Sequence, residues 1–429
     1  MEELDHLQSL AMEGNVEAQL ELGRIFLYGR GISPDYGKAH HWFTKAADQG
    51  NAIAAHNLGY MHMNGLGVET DTSKAAIWCR KAAEQGLAQS QFVLGLFYLE
   101  GDGVVQDYNA ALDWLHKAAE QGLNEAQNQL GLMYSEGVGV DQDYDKSFFW
   151  HKESAEQGDP AGQYYLGCCY FNGQGVDQDY DKAVEWLSKA ADQGFIEAQL
   201  GLASVYEASP LKNYCASADW YLKAAQQGNS HAQERIGSMY LNGNGVFQDY
   251  EKALEWFLKA ANQGNPEALN SIGAMYQKGW GINQDYYKAM EFYHQAAELG
   301  YPGAYYNIGH MYHDGLGVTQ DYHKAMAWWE QGAKYGSPES EYSLGALFEL
   351  GQGVEQDFQK ALYWYRAAAD HGGRRDREVR ARDRQHHAGR EDRRCLGHGA
   401  VAEHGRRAGR IGYVGCIGRR ARFSACCQQ

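Results

Sequence analysis

Two histidines and a neighbouring carboxylate have the residue types and the spacing that could bind a metal ion. His310 and His313 are three residues apart, Asp314 follows directly, and His323 lies further along the chain. Residues three apart on a helix share a face, and imidazole and carboxylate groups are both zinc ligands. The spacing fixes no third ligand, which a zinc site would need. We therefore expect surface histidines, no metal and no other cofactor.

The eight cysteines show no pattern that is typical of a redox or metal site. Cys168 and Cys169 are adjacent and so do not form a Cys-x-x-Cys motif, and Cys79 and Cys215 have no partner at a suitable spacing. Isolated cysteines of this kind usually behave as small hydrophobic residues. We expect all four to be core residues of a protein in a reducing compartment.

Carboxylates are plentiful, but they recur at regular intervals. The phrase "QDY" supplies Asp143, Asp249 and Asp321, and the phrase "EQG" supplies glutamates. Because an active site normally occurs once in a chain, we interpret these aspartates as helix N-caps and expect no catalytic residue. The G-x-G pairs follow helical patterns and not strands, which argues against a phosphate-binding loop. The sequence therefore predicts a protein that is not an enzyme.

The recurring phrases belong to a repeat. The stretch "GNGVFQDYEKALEWFLKAANQG" (243–264) returns 36 residues later as "GWGINQDYYKAMEFYHQAAELG" (279–300). The full unit reads "A-x-x-x-LG-x-x-Y-x-x-G-x-GV-x-QDY-x-KA-x-x-W-x-x-KAA-x-QG", which indicates two helices of about a dozen residues joined by a glycine loop. We name the first helix A and the second helix B. One such pair cannot bury its own apolar face, so the units are expected to stack in a row.

Small residues and tryptophans predict how the two helices end and pack. A glycine inside helix A, such as Gly131, costs about 1 kcal/mol relative to alanine, so its recurrence predicts close approach of a neighbouring helix. The sixth unit has Ala203 there. Loop glycines such as Gly65 and Gly67 predict positive φ where helix A ends. We also expect core packing for the tryptophans at one helix-B position. They are Trp42, Trp78, Trp114, Trp150, Trp186, Trp220, Trp256, Trp328 and Trp364.

The unit resembles the Sel-one-like repeat, a relative of the tetratricopeptide repeat. The stretch "MYLNGNGVFQDYEKALEWFLKAANQG" (239–264) carries the resemblance, which covers nearly all of residues 1–372. It implies an all-α fold, a right-handed α-solenoid of about ten helix-turn-helix repeats, and a role as an adaptor that holds other proteins in a concave groove. A cysteine-rich branch of the family needs two cysteines in each repeat, and this chain does not have them.

The pattern divides the chain into three parts. Residues 1–14 align with the end of a helix B and predict an N-terminal capping half-repeat. Residues 15–372 hold ten units, of which the sixth lacks the glycine pair and is shortened at 207–214. The pattern stops at Gly373, and residues 373–429 contain 15 arginines and no lysine. Two interpretations of this tail are open, a disordered basic terminus and a shifted reading frame.

Charge and hydropathy restrict the partners. The net charge is −26 up to Gly372 and +9 in the tail. Because an acidic body repels phosphate backbones, we expect no nucleic-acid binding by the repeats and a partner that is basic or neutral. No apolar run is long enough to span a bilayer and no export signal is visible, so we expect no membrane contact and a cytoplasmic location. Export by another route stays open.

The resemblance implies that variable positions of helix A line a peptide-binding groove. We expect a non-enzymatic scaffold there, since aromatic side chains provide hot spots and amides can pair with a peptide backbone. The alternatives are a hydrolase of the cysteine-rich branch, acting on cell-wall or β-lactam substrates, and an exported bacterial effector that binds host proteins. The groove candidates are His56, Tyr60, Phe92, Asn128, Tyr164, Phe171, Glu234, Asn270, Gln277, Tyr306, His310, His313 and Tyr342.

Overall fold

The fold is entirely helical over the part of the chain that the structure describes. The computed structural model describes residues 2–208 and 212–372, which form 21 helices and no strand. Helix α1 precedes ten pairs, in which the even-numbered helices are helix A and the odd-numbered ones are helix B. The helices are α1 (Glu2–Met12), α2 (Val16–Tyr28), α3 (Tyr36–Asp48), α4 (Ala52–Asn64), α5 (Thr72–Glu84), α6 (Ala88–Glu100), α7 (Tyr108–Glu120), α8 (Asn124–Glu136), α9 (Tyr144–Glu156), α10 (Pro160–Asn172), α11 (Tyr180–Asp192), α12 (Ile196–Glu207), α13 (Tyr214–Gln226), α14 (Ser230–Asn242), α15 (Tyr250–Ala261), α16 (Pro266–Lys278), α17 (Tyr286–Glu298), α18 (Pro302–Asp314), α19 (Tyr322–Lys334), α20 (Pro338–Leu350) and α21 (Phe358–Gly372).

Two compact units divide this chain between Gly201 and Leu202, within α12. In unit 1 (2–201) and in unit 2 (202–208 and 212–372), helices pack mainly against those that precede and follow them in sequence. Fully buried side chains such as Leu130 in unit 1 and Tyr293 in unit 2 lie between them. The expected all-α solenoid class is confirmed. The described helices include none that is both long and apolar enough to cross a lipid bilayer.

The ends of the helices are fixed by the residues that the repeat predicts. Asp143 caps α9, because its carboxylate accepts a hydrogen bond from the backbone N–H of Lys146 at 3.0 Å. The Lys146 ammonium returns to the same carboxylate at 3.3 Å. Gly65 ends α4 in the left-handed conformation, with φ of +68°. Helix B therefore begins at the aspartate of "QDY", and helix A ends at the first loop glycine.

The glycine inside helix A is required by close packing, as predicted. A Cβ atom on Gly167 would lie 2.7 Å from the Leu187 side chain in the helix B of the same repeat. A Cβ on Gly273 would lie 2.7 Å from the ring of Tyr293. Real Cβ atoms do not approach other heavy atoms this closely, so a methyl group would push the two helices of a repeat apart.

A ladder of glutamines joins successive helices. The side chain of Gln127 on α8 donates to the carbonyl of Ala119 at the end of α7, at 3.1 Å. Its own oxygen accepts from Gln157, which follows α9, at 2.8 Å. Gln19 makes the first of these bonds to Ala11 of α1, at 2.9 Å. Helix α1 therefore contacts α2 in the same way as a helix B contacts the helix A of the next repeat.

The sixth repeat is shortened where the sequence departs from the pattern. Helix α12 ends at Glu207 and α13 begins at Tyr214, with Asn213 as its N-cap in place of the usual aspartate. In unit 2 the Glu207 carboxylate accepts two hydrogen bonds from Arg235 of α14, at 2.9 and 3.0 Å. The Glu207 side chain is 8% exposed and that of Arg235 21% exposed. A largely buried ion pair thus joins this helix to α14.

The tryptophans and one cysteine are more exposed than the sequence predicted. The nine tryptophans are half-buried, and in several repeats the lysine three residues later covers the ring, as Lys189 covers Trp186 at 3.8 Å from the ring centre. Cys79, Cys168 and Cys169 are buried as expected. The prediction for Cys215 was wrong, because this residue lies on the solvent face of the first turn of α13. The Arg-rich tail (373–429) lies outside the described residues.

Candidate functional site

In unit 1 the predicted groove positions mostly pack against the next repeat. His56, Phe92, Asn128, Tyr164 and Phe171 are buried. Tyr60 is half-buried. These side chains offer little surface to a partner.

Three of the buried side chains make identifiable contacts with the following repeat. His56 Nδ1 lies 2.8 Å from the Ser90 hydroxyl of α6. The Asn128 amide donates to the Asp159 carboxylate, the N-cap of α10, at 2.8 Å. The Tyr164 ring lies 5.8 Å from the ring of Phe195, measured between centres. The position three before the helix-A glycine therefore joins repeats in unit 1.

Burial also controls the protonation of these side chains. It lowers the pKa of His56 to about 4 and raises the pKa of the Cys168 thiol. His56 is therefore neutral over the whole pH range in which histidines normally titrate. The Cys168 thiol is not ionised near neutral pH. Cys168 is a poor nucleophile in this setting, since the thiolate is the reactive form.

Unit 2 exposes more of the same helix face. Glu234 and Gln277 are buried, but Asn270, Tyr306, His310, His313 and Tyr342 are half-buried. The two buried side chains already have partners within the unit. Glu234 accepts a hydrogen bond from Ser238 at 2.7 Å, and Gln277 accepts one from the Tyr293 hydroxyl at 2.7 Å. The accessible candidates therefore concentrate on α16, α18 and α20, which we name the unit-2 helix-A face.

The histidines of α18 are held by neighbours within unit 2. His310 Nε2 lies 3.4 Å from the Asp314 carboxylate, and His313 Nδ1 lies 2.5 Å from it. His313 Nε2 lies 3.0 Å from the side-chain oxygen of Gln352 in the next repeat. Among the described residues, no group of three His, Cys, Asp or Glu side chains is placed to hold a metal ion. The cluster links two repeats and keeps His310 partly accessible.

Sequence reasoning missed Tyr301, which marks the acidic end of the unit-2 helix-A face. This residue precedes α18 at its N-cap. Burial, together with the carboxylates of Glu267, Glu234 and Glu339, raises its pKa to about 12. These glutamates come from three helix-A elements, α14, α16 and α20, so carboxylates of three repeats act on one phenol. The signal in the sequence was the residue after "QG" or "LG", which varies among the units.

A second missed residue is Asn307, whose amide donates to the oxygen of Asn270 at 2.8 Å. The two asparagines belong to successive helix-A elements, α18 and α16. Together with Tyr306 and Tyr342 they give this face amide and aromatic groups near the carboxylates. Such a surface can pair with a peptide backbone and attract cationic side chains.

Comparisons with known proteins agree with this architecture. The family model of the Sel1 repeat matches ten consecutive segments of the chain, which are residues 16–51, 52–87, 88–123, 124–159, 160–195, 196–229, 230–265, 266–301, 302–337 and 338–373. The crystal structure of a protective antigen of uropathogenic Escherichia coli strains, described as having an SLR fold, is 36% identical, with a TM-score of 0.70. That match covers 85% of this chain and 79% of the antigen.

A Sel1 repeat protein from Oxalobacter formigenes is also similar. It is 34% identical with a TM-score of 0.59, over 70% of this chain and 88% of that protein. No curated protein matches the chain. Repeat matches along most of the sequence, together with these structures, establish the relationship that the sequence suggested, and the chain belongs to the Sel1 repeat family.

Proposed function

We propose that this protein is a non-enzymatic scaffold that binds a basic or neutral protein segment on the unit-2 helix-A face. Sel1 repeats form a scaffold fold that is typical of protein–protein interaction modules. The observation that supports the choice of surface is the contrast between the two units. Five of the six candidates in unit 1 are buried, whereas five of the seven in unit 2 are half-buried. Side chains that keep part of their surface exposed are available to a partner.

The chemistry of this face supports an extended segment with cationic side chains. Glu267 is exposed on α16, and Glu339 is half-buried on α20. Tyr306 and Tyr342 provide aromatic rings of the kind that dominate interface energetics. Charge complementarity would speed association and select against acidic partners. We also propose that residues 1–14 cap the first repeat, since α1 makes the Gln19 contact of a helix B.

Site-specific cross-linking tests the assignment on the full chain. A photoreactive phenylalanine analogue placed at Tyr306 or at Tyr342 should cross-link to a partner protein in cells. The matched control carries the same analogue at Tyr363 of α21, an aromatic residue that is 64% exposed on a helix B. Cross-links from position 363 in place of 306 and 342 would assign binding to another surface.

Affinity capture gives an independent test. The Tyr306→Ala/Tyr342→Ala variant should lose its partner, whereas the control Tyr287→Ala/Tyr363→Ala should keep it. Both control residues are exposed on helices B, with 78% and 64% of their surface accessible. Equal recovery of the partner by the two variants would show that this face does not bind it.

A further inference from the structure

Two histidines contact one another at the junction between the first and second repeats of unit 1. His40 lies on α3 and His62 on α4. Their rings meet edge to face, with centres 5.4 Å apart and an angle of 84° between the planes. His62 is only 7% exposed. His40 Nε2 and His62 Nδ1 are both buried and have no hydrogen-bond partner.

Other repeats fill this contact with side chains that cannot titrate near neutral pH. The equivalent pair is Phe148 and Tyr170 at the junction of the fourth and fifth repeats. Those rings also meet edge to face, at 5.6 Å and 88°. Further equivalents are Ala76 with Tyr98, Leu112 with Tyr134, Leu254 with Tyr276, Met290 with Tyr312 and Met326 with Phe348. Packing alone therefore does not require histidine at either position. At the first junction both partners of the contact differ from the residues that the other junctions have.

The same junction also lacks one bond of the glutamine ladder. At other junctions of unit 1 a helix-A glutamine donates to the carbonyl at the end of the preceding helix B, as Gln91 does to Ala83 at 3.2 Å. The second repeat has Ala55 at this position, and alanine has no amide to donate. The contact of α3 with α4 therefore depends more heavily on the side chains that include the histidine pair.

The charges around the pair oppose its protonation. Burial lowers the pKa of both histidines, and their mutual repulsion lowers that of His62 further. His41 on α3 repels a proton on His40. Lys74 on α5 repels one on His62, while Asp71, the N-cap of α5, attracts it. The Asp71 carboxylate is already paired with Lys74 at 3.1 Å, so little of its charge is left to stabilise an imidazolium.

We propose that the junction between the first and second repeats is an acid-sensitive joint, in which protonation of His40 and His62 separates α3 from α4. Both histidines have a lowered pKa in the folded state, relative to 6.5 in the unfolded chain. Their contribution to the contact is therefore fully present above pH 6.5 and is lost as the pH falls below it. Opening would expose the buried faces of α2 to α4 while the later repeats stay folded, since each repeat is stabilised by its neighbours alone.

Hydrogen exchange on the full chain tests the joint locally. Protection of the amides in α2, α3 and α4 should fall between pH 7.0 and pH 5.5, after correction for the intrinsic exchange rate. Each proton taken up on opening contributes about a tenfold loss of protection per pH unit. Protection in α11 to α13 should not change over this range, because these helices contain no histidine.

The His40→Leu/His62→Tyr variant, which installs the residues of the third-to-fourth junction, should remove most of the pH dependence in α2 and α3. The control His231→Gln changes an exposed histidine of unit 2 and should behave as the wild type. The single variant His62→Tyr is a smaller change that also removes the repulsion between the rings, and it should reduce the loss of protection by up to about eightfold, the share of one proton over this range. If the wild type and both variants of the histidine pair lose protection equally, or if α11 to α13 open together with α2 to α4, the proposal is wrong.

Discussion

His371 Nδ1 lies 2.9 Å from the Glu341 carboxylate, at two positions where five other repeats have a pair of hydrogen-bonded glutamines. The glutamate lies in α20 and is 2% exposed, whereas the histidine lies near the end of α21. The ninth repeat has Tyr305 stacked on Tyr335 at the same positions, with ring centres 4.9 Å apart. Three different kinds of residue pair therefore interact at these two positions.

This pairing predicts a strong coupling between Glu341 and His371. Replacing His371 by alanine should lower the free energy of unfolding by about 1–3 kcal/mol, because the buried carboxylate loses its hydrogen-bond partner. The double variant Glu341→Gln/His371→Gln restores the glutamine pair and should lie within about 0.5 kcal/mol of the wild type. Urea unfolding of the single and double variants measures the coupling. Additive effects would show that the two residues act independently.

The fold could be predicted from the sequence because its determinants are local. The caps at Asp143 and Gly65 depend on residues within one turn of the helix end. The close contact at Gly167 depends on two helices that are adjacent in the chain. The glutamine ladder is also visible in the sequence as matched residues 30 positions apart, such as Tyr305 and Tyr335 in place of two glutamines.

The internal glycine of helix A gives a prediction with a matched control in the same repeat. A Cβ on Gly23 would overlap the Phe43 ring of α3, so Gly23→Ala should destabilise the protein by about 1–3 kcal/mol. Gly37 lies in the first turn of α3, and its nearest neighbour to an added Cβ is 3.6 Å away. Gly37→Ala should be neutral or stabilising by up to about 1 kcal/mol, because alanine favours helix.

Thermal unfolding of the two variants compares these effects. A drop in the melting temperature for Gly23→Ala only is expected. If both substitutions change the melting temperature equally, helix propensity and not packing explains why glycine recurs in helix A.

The candidate site could not be read from the sequence to the same extent. Its positions were transferred from tetratricopeptide geometry, and which helix face is buried depends on how each repeat packs on the next. His56, Asn128 and Tyr164 satisfy this packing with contacts that only the three-dimensional structure reveals. Tyr301 and Asn307 were missed because they lie outside the transferred positions. The role of the unit-2 helix-A face in binding stays a prediction.

The ion pair of Glu207 and Arg235 should be important for unit 2. Both side chains are largely buried, so Arg235→Met leaves a carboxylate without its charge partner and should cost about 3–5 kcal/mol. The double variant Glu207→Leu/Arg235→Met removes both charges and should recover most of this loss. Denaturant unfolding of the three proteins provides the measurement. A double variant that is less stable than Arg235→Met would contradict the role of the buried charge.

The fully buried His151 should make the free energy of unfolding fall as the pH is lowered. Burial lowers its pKa to about 3 in the folded protein, against 6.5 in the unfolded chain. The unfolded state therefore binds the proton first, and the contribution of the neutral imidazole is present above pH 6.5 and lost as the pH falls towards 3. Between pH 7 and pH 4 this single group should reduce the free energy of unfolding by about 3 kcal/mol.

Replacing His151 by leucine removes the titrating group. The adjacent repeats have leucine at the same position, where Leu115 packs against Gly95 and Leu187 packs against Gly167. His151→Leu should therefore be less sensitive to acid than the wild type by about 3 kcal/mol over the same pH range. Guanidinium unfolding at pH 7 and pH 4 measures the difference, with His231→Gln as a control at an exposed position. An unchanged pH dependence in His151→Leu would mean that the imidazole is already protonated in the folded state, which its complete burial against the Tyr165 ring at 4.7 Å argues against.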